Sequence, residues 1–252
     1  MGNPITQFEA LGKIVSARFL RSSMPDFLGI GALKAGTSWS YENLKQHPDI
    51  YLSDQKELHY FDKKLNDSLL SYSRNFKNGK GKVKGEITPA YSILTVEKIR
   101  LIKKLMPKVK LILLIRNPIE RAWSHAIMDL VARPNKTFEE VPEEAFLSHF
   151  KSDYAIKRGD YSTVLENWLS VFSSEQLYLG LFTDIVDSPK QLLLEIFSHL
   201  GVSSDIYWDT LPYNTIIHRN PEIIIPQKYR AILESIYSPK IERLANQYNI
   251  QL

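Results

Sequence analysis

The feature that most constrains the fold is the regular alternation of short apolar runs with longer amphipathic stretches. Runs with the length and composition of buried strands occur at 26–31, 50–52, 83–87, 110–115 and 176–182. Stretches with apolar residues at helical spacing, or with helix-starting signals, occur at 37–46, 95–106, 117–132, 161–172, 189–200 and 226–248. Because strands that alternate with helices form parallel sheets covered on both faces, the sequence predicts a three-layer α/β fold with a mostly parallel central sheet.

The remaining segments complete one predicted domain, since 252 residues suit a single α/β domain of this kind. Residues 1–24 precede the first strand and are predicted to form an N-terminal extension. The polar stretch 66–84 contains five lysine and arginine residues and predicts a mobile loop. A second loop is expected at 133–157.

The composition excludes several classes of protein. The net charge of +4 and the isoelectric point near 9.0 suit polyanionic ligands without implying nucleic acid. The apolar runs are far shorter than the roughly 20 residues of a membrane-spanning helix, so no stable membrane insertion is expected. The absence of cysteine excludes disulfides, thiolate metal sites and cysteine nucleophiles. No other metal-binding cluster is visible in the sequence, so no metal is expected. The absence of cysteine and of a signal-peptide pattern predicts a cytoplasmic protein.

The central motif lies where the first strand turns into the first predicted helix, at Gly31-Ala32-Leu33-Lys34-Ala35-Gly36-Thr37-Ser38. Such a turn directs free backbone N–H groups and the positive end of the helix at one point, which favours an oxyanion. Glycine lets the main chain approach the ligand, while Thr37 and Ser38 add hydroxyl donors. The motif is P-loop-like, but Lys34 precedes Gly36 by two residues, and this shift disfavours an ordinary ATPase.

The shifted pattern K-x-G-T-S resembles the loop that binds the 5′-phosphosulfate in sulfotransferases dependent on 3′-phosphoadenosine 5′-phosphosulfate (PAPS). The resemblance implies that Lys34 contacts the donor phosphate and the bridging oxygen and stabilises the leaving phosphate. Donor contacts are implied along the whole turn, at Lys34, Ala35, Gly36, Thr37, Ser38 and Trp39. For Trp39, packing of the helix is the alternative interpretation.

The resemblance continues through Lys34–Asp62, which is similar to heparan sulfate sulfotransferases and their bacterial relatives, including a K-E-x-H-[FY]-F cluster. The carboxylate of that cluster is the catalytic base in those enzymes and corresponds to Glu57. A positioned carboxylate suits this task, because an acceptor hydroxyl must lose its proton as it attacks sulfur. His59 is a second candidate base or a residue that orients the acceptor; the alternative is a structural histidine.

Three further segments resemble the same family. Residues 110–129 resemble the segment that binds the 3′-phosphate, which implies phosphate contacts from Arg116 and Ser124. Residues 214–219 occupy the place of a loop that closes over this phosphate in relatives, which implies a phosphate contact from Arg219. Residues 84–91 resemble a segment that lines the acceptor cleft, and Ile87 stands there where relatives often have lysine, which disfavours a highly acidic polysaccharide acceptor.

Together these segments predict an enzyme that moves a sulfuryl group from PAPS to an acceptor hydroxyl or amine and releases adenosine 3′,5′-bisphosphate (PAP). Glu57 would act as general base and Lys34 would stabilise the leaving phosphate, with no metal required. Two alternatives stay open at this point: a P-loop nucleotide kinase or other phosphotransferase, and a non-catalytic PAPS-binding or anion-binding module. The acceptor is expected to be a small molecule or a carbohydrate, and neither its identity nor the oligomeric state follows from the sequence.

Overall fold

Five parallel strands form the central sheet, in the order β2-β3-β1-β4-β5. A computed structural model describes residues 7–215, 217 and 223–252, with all of their side chains except those of 7–10, 18 and 19. The strands are β1 (Phe27–Gly31), β2 (Ile50–Leu52), β3 (Val83–Ile87), β4 (Lys110–Ile115) and β5 (Leu177–Leu181). Helices cover the two faces of this sheet, so the predicted three-layer α/β fold is confirmed.

Eleven α-helices lie within the described residues. They are α1 (Gln7–Phe19), α2 (Thr37–Gln46), α3 (Leu69–Ser73), α4 (Val96–Leu105), α5 (Pro118–Ile127), α6 (Glu143–Lys151), α7 (Asp153–Lys157), α8 (Tyr161–Leu169), α9 (Phe182–Asp187), α10 (Pro189–Leu200) and α11 (Gln227–Tyr248). The helices predicted at 37–46 and 189–200 have the predicted bounds, and four others agree within a few residues. The predicted helix 117–132 ends as an α-helix at Ile127 and continues as a π-helical turn, Met128–Ala132.

Alternate residues of β4 show how the sheet separates two hydrophobic clusters. Leu111 and Leu113 pack with residues of α4 and α8 on one face, whereas Ile112 and Leu114 pack with residues of α2 and α10 on the other. This two-residue period is the ordinary alternation of side chains along a strand. A third cluster joins α5, α6 and α11 around the aromatic ring of Trp123.

The prediction of a mobile loop at 66–84 is wrong. The segment contains α3 and a 3₁₀ helix, Arg74–Gly79, before β3 begins. Leu69, Tyr72 and Phe76 are buried in the main core, because their spacing places them on one side of these short helices. The polar residues between them and the lysines that follow Phe76 gave the segment its polar composition and obscured the helical period.

The segments predicted at 133–157 and 1–24 also contain helices. Phe146 and Phe150 of α6 lie four residues apart and are both fully buried, and Ser152 caps α7 by accepting a hydrogen bond from Ala155 N. In the N-terminal segment, α1 packs on the main core through the buried Ala17. The prediction of a loop at 133–157 is therefore wrong.

Candidate active site

A cleft of about 1070 Å³ opens beyond the carboxyl ends of β1 and β4. Strand order reverses here, since β2 and β3 lie on one side of β1, and β4 and β5 lie on the other. Parallel α/β sheets bind ligands at such reversal points. The lining of the cleft includes the predicted site residues Lys34, Gly36, Thr37, Ser38, Trp39, Glu57, Arg116 and Ser124.

The turn between β1 and α2 forms one wall of the cleft. Gly36 precedes α2 with φ of 88°, and Lys34 has φ of 66°, so both adopt left-handed backbone. A Cβ atom at Gly36 would lie 2.1 Å from Ile185 Cδ1, so space as well as conformation requires glycine here. No side chain among the described residues caps the N-terminus of α2, which leaves its first N–H groups for an anion.

Two residues of this turn that were predicted to contact PAPS, Ala35 and Trp39, have structural roles. Ala35 is fully buried, and its side chain is packed in the main core instead of facing the cleft. Trp39 is 4% exposed and donates a hydrogen bond from Nε1 to Tyr213 O at 2.9 Å. Trp39 therefore packs the helix, as the alternative interpretation held, while its remaining surface contributes to the cleft lining.

Cations converge on Lys34. Burial first, and then repulsion from Arg116, Arg133 and Lys56, lower the pKa of Lys34 from 10.5 to about 8. Cations that repel one another in this way favour a bound anion, because the negative charge of the anion offsets their repulsion. The electrostatics of the cleft therefore suit phosphate or sulfate groups.

Arg116 and Ser124 bring the second predicted segment to the same cleft. Arg116 directly follows β4, and its guanidinium lies 4.4 Å from the ring centroid of Phe182. Its main chain is fixed by Tyr161, whose hydroxyl donates to Arg116 O at 2.9 Å. Ser124 lies on α5, a helix whose start is capped by Asn117 Oδ1, which accepts from Ile119 N at 3.0 Å. Pairing between β1 and β4 brings the carboxyl ends of the two strands side by side, so the turn after β1 and the segment after β4 both line the cleft.

Glu57 reaches the cleft from the irregular segment that follows β2. Lys56 links it to the turn, because Lys56 Nζ lies 3.2 Å from Glu57 Oε1 and donates to Ser38 Oγ at 3.0 Å. His59 lies between two carboxylates: its Nε2 is 3.4 Å from Glu57 Oε2, and its Nδ1 is 2.8 Å from Asp62 Oδ2. The cleft lining includes Glu57 but not His59, so His59 contacts the cleft through Glu57.

Buried Glu86 holds this segment in place. Its carboxylate accepts hydrogen bonds from the hydroxyls of Tyr72, Thr88 and Tyr91, at 2.6 Å, 2.7 Å and 3.0 Å. Tyr91 in turn accepts from Tyr60 N at 2.9 Å, which ties the chain next to His59 to the core. Burial raises the pKa of Glu86 despite these hydrogen bonds.

The expectation that residues 84–91 line the acceptor cleft is not met among the described residues. Ile87 is 2% exposed and packs with the hydrophobic cluster that contains Trp39. Its Cγ1 atom would lie 2.7 Å from a Cβ placed on Gly29, so the side chain fills space beside the sheet. The identity of residue 87 therefore does not indicate the charge of an acceptor.

Several cleft residues were not identified as site residues from the sequence. Lys56 and Arg133 line the cleft as additional cations, and Phe182 supports Arg116. Lys56 adjoins Glu57 in the sequence, and that adjacency was a usable signal, whereas Arg133 lies in a segment predicted as a loop. The predicted phosphate ligand Arg219 lies outside the described residues, although the nearby Asn214 lines the cleft.

The fold and the cleft together define a parallel α/β protein with a P-loop-like turn, residues 31–38, at the strand-order reversal. The family model described as "Sulfotransferase domain" matches residues 24–218. The chain therefore belongs to the sulfotransferase domain family.

Two relatives show the distance within that family. Heparan sulfate glucosamine 3-O-sulfotransferase 6 of Mus musculus is 32% identical over 185 residues, covering 72% of this chain and 54% of the relative. Heparan sulfate glucosamine 3-O-sulfotransferase 3B1 of Homo sapiens is 30% identical over 183 residues, covering 71% of this chain and 46% of the relative. The chain thus spans about half the length of the curated relatives it matches.

Solved structures support the fold. A sulfotransferase from Alicyclobacillus acidocaldarius superposes with a TM-score of 0.71 at 24% identity, covering 91% of this chain and 97% of that chain. A mouse sulfotransferase complexed with PAP superposes with a TM-score of 0.57 at 15% identity, covering 98% of both chains. No helix in the described part of the chain combines the length and apolar character that crossing a bilayer requires.

Proposed function

We propose that this chain transfers a sulfuryl group from PAPS to a hydroxyl or amine of an acceptor. The observation that carries the proposal is that one cleft contains the anion-binding turn, the Arg116 and Ser124 pair, and the carboxylate of Glu57. A donor with phosphate groups at both its 5′ and 3′ positions needs two separate anion sites. The cleft offers these two sites together with a candidate base.

The reaction follows from these positions. The acceptor oxygen or nitrogen attacks sulfur, its proton passes to Glu57, and the bond between sulfur and the bridging phosphate oxygen breaks. Lys34 and the amides of the turn stabilise the negative charge that develops on the leaving phosphate. The products are a sulfated acceptor, PAP and one proton. The chain's own cations supply the stabilisation, so the step has no requirement for Mg²⁺.

The positions of Lys56 and His59 add detail to this mechanism. Lys56 contacts both Ser38 and Glu57, so it connects the donor turn with the base. His59 contacts both Asp62 and Glu57, which favours His59 as the residue that orients Glu57. In this role His59 would accept the proton that Glu57 has taken from the acceptor. Glu57 is the better candidate for the direct base, because it lines the cleft and His59 does not.

The acceptor is the least determined part of the proposal. The matched relatives are named for the sulfation of glucosamine in heparan sulfate, which favours a carbohydrate hydroxyl as the first class to test. A small-molecule acceptor is the second class, because the cleft walls include apolar residues such as Ile127, Met128 and Ile224.

The test is a transfer assay with ³⁵S-labelled PAPS and fractionated extracts of the source organism. We expect labelled product from the wild-type chain with or without EDTA, and about 10²–10⁴-fold slower formation of that product by Glu57→Gln at equal PAP affinity. A requirement for Mg²⁺ and ATP would favour a phosphotransferase instead. Tight PAP binding with no labelled product in any fraction, by either protein, would indicate a binding module and contradict the proposal.

A further inference from the structure

Three side chains with metal-binding atoms meet between α5 and α6. His125 lies on α5 and Asp129 lies four residues later on the π-helical turn, so both are on the same face. His149 approaches from α6. Asp129 Oδ2 lies 3.1 Å from His125 Nε2 and 3.3 Å from His149 Nε2, and all three potential ligand atoms lie within 4.8 Å of one another.

His125 is the unusual member of this cluster. Its side chain is fully buried, and neither ring nitrogen makes a hydrogen bond with the described residues. Nε2 is close to Asp129 Oδ2 but is not aligned for a hydrogen bond with it. Buried polar atoms are nearly always satisfied, so an imidazole in this state indicates a ligand that the protein atoms do not supply.

We propose that His125, Asp129 and His149 form a binding site for a divalent transition metal ion, with Zn²⁺ as the ion that fits best. Imidazole nitrogen and carboxylate oxygen are common zinc ligands, at about 2.0–2.2 Å from the ion. Ligand atoms around a tetrahedral zinc lie roughly 3.4 Å from one another, close to the 3.1 Å and 3.3 Å that separate Asp129 Oδ2 from the two histidine nitrogens. Three protein ligands leave the fourth position to water.

The site has a structural connection to the cleft. Asp129 Oδ2 faces the two histidines, while its Oδ1 accepts a hydrogen bond from Arg133 Nη1 at 2.7 Å. Arg133 lines the cleft. A metal ion would therefore join α5 to α6 and fix the carboxylate that orients Arg133. This role is separate from the chemistry of transfer and does not depend on the proposed function.

The sequence did not indicate this site, because no compact motif contains it. His125 and Asp129 have a spacing that also occurs in metal-free helices, and the third ligand lies in the segment 133–157 that was predicted to be a loop. The expected absence of a metal is therefore replaced by a proposal that binding measurements can test.

Zinc binding should be measured on the full chain after dialysis against a chelator, by competition with a chromophoric indicator. We expect one Zn²⁺ per chain and, with Co²⁺, the visible absorption of a four-coordinate complex. Loss of even an outer-shell partner costs about 10–100-fold in affinity, so His149→Gln should lower zinc affinity more than about 100-fold. Zinc at about 100 times its Kd should raise the Tm of the wild type by roughly 5 °C and leave that of His149→Gln unchanged.

Two controls separate this cluster from other histidines. His199→Gln on α10 and His59→Gln beside Glu57 should both retain wild-type zinc affinity. If His149→Gln fails to fold, Asp129→Asn serves as the second ligand variant. It should also lose the visible absorption of the Co²⁺ complex. The proposal would be overturned if the wild-type chain bound no zinc at micromolar concentrations, or if either ligand variant bound zinc as tightly as the wild type.

Discussion

The two sides of the cleft are held by different means. The P-loop-like turn at residues 31–38 is built locally: a buried strand, left-handed Gly36 and the start of α2 follow one another along the chain. The Glu57 segment has no such local support, and Glu57 and His59 both have left-handed backbone, with φ of 62° and 55°. Its position depends on Glu86 and Tyr91, which are distant in the sequence.

This difference separates two kinds of functional geometry. A site at a strand end is positioned by the sheet, so substitutions of its side chains should change ligand affinity without disturbing the fold. A site on an irregular segment inherits its precision from buried polar contacts, so substitutions far from the cleft should alter its chemistry. The four predictions below test this distinction.

The largest effect is expected from Glu57→Gln. General-base catalysis contributes about 10²–10⁴-fold, so the variant should lose that much in kcat. PAP affinity should stay within about twofold of wild type, because the proposed donor contacts do not include Glu57. Steady-state kinetics and calorimetric titration with PAP measure the two quantities. A variant with unchanged kcat would exclude Glu57 as the base.

Lys34→Ala should lower kcat by about 10²–10³-fold, the usual cost of removing a group that stabilises a developing oxyanion. The pKa of Lys34, lowered to about 8 by burial and by neighbouring cations, adds a pH signature. Lys34 must be protonated to pair with phosphate. Wild-type PAP affinity should therefore be constant below pH 8 and fall by up to about tenfold per pH unit above it.

Calorimetric titrations with PAP between pH 6.5 and 9.5 give the readout for Lys34. In Lys34→Ala the fall in affinity above pH 8 should disappear, while Lys45→Ala, near the end of α2, should behave as wild type. The same pH dependence in Lys34→Ala as in wild type would assign the titration to another group.

Arg116→Ala should weaken PAP binding by about 10–100-fold, because hydrogen bonds to charged groups contribute about 1.5–3 kcal/mol. Affinity for adenosine 5′-phosphate should change by less than twofold, since that nucleotide lacks the 3′-phosphate. Ser124→Ala should show the same selectivity with a loss of about threefold to tenfold. Equal losses for both nucleotides would place Arg116 away from the 3′-phosphate.

Glu86→Gln tests the buried support of the second region and should lower kcat by roughly tenfold through misplacement of Glu57. Burial raises the folded-state pKa of Glu86 above 4.5, the value for an unperturbed glutamate. Its contribution to stability is therefore fully present below pH 4.5 and lost as the pH rises through the raised pKa. The deficit in unfolding free energy of the variant should be largest at low pH and shrink across that window.

Denaturant unfolding of both proteins at a series of pH values measures this difference. Tyr72→Phe is the matched control, because it removes one of the hydrogen bonds to Glu86 and should cost about 1 kcal/mol with little loss of kcat. Wild-type kcat in Glu86→Gln, with a stability difference independent of pH, would show that the segment is positioned without Glu86.

The same distinction explains what the sequence could predict. The strands, most helices and the residues at strand ends, such as Lys34 and Arg116, follow from local patterns and from the resemblance of contiguous motifs. Other features depend on which surfaces pack together, and local patterns do not show this. They are the support of Glu57 by Glu86, the position of Arg133 at the cleft, and the contact between the helices that bear His125 and His149. The apolar spacing of Leu69, Tyr72 and Phe76 was present in the sequence but was masked by the lysines around it.

A crystal structure of the chain with PAP bound tests the account most directly. It should place the 5′-phosphate within about 3 Å of Lys34 Nζ and of backbone N–H groups at residues 35–38, with the 3′-phosphate at hydrogen-bond distance from Arg116 and Ser124. Glu57 should face the open side of the 5′-phosphate. PAP bound outside this cleft, or bound with its two phosphates exchanged, would contradict the proposed donor site.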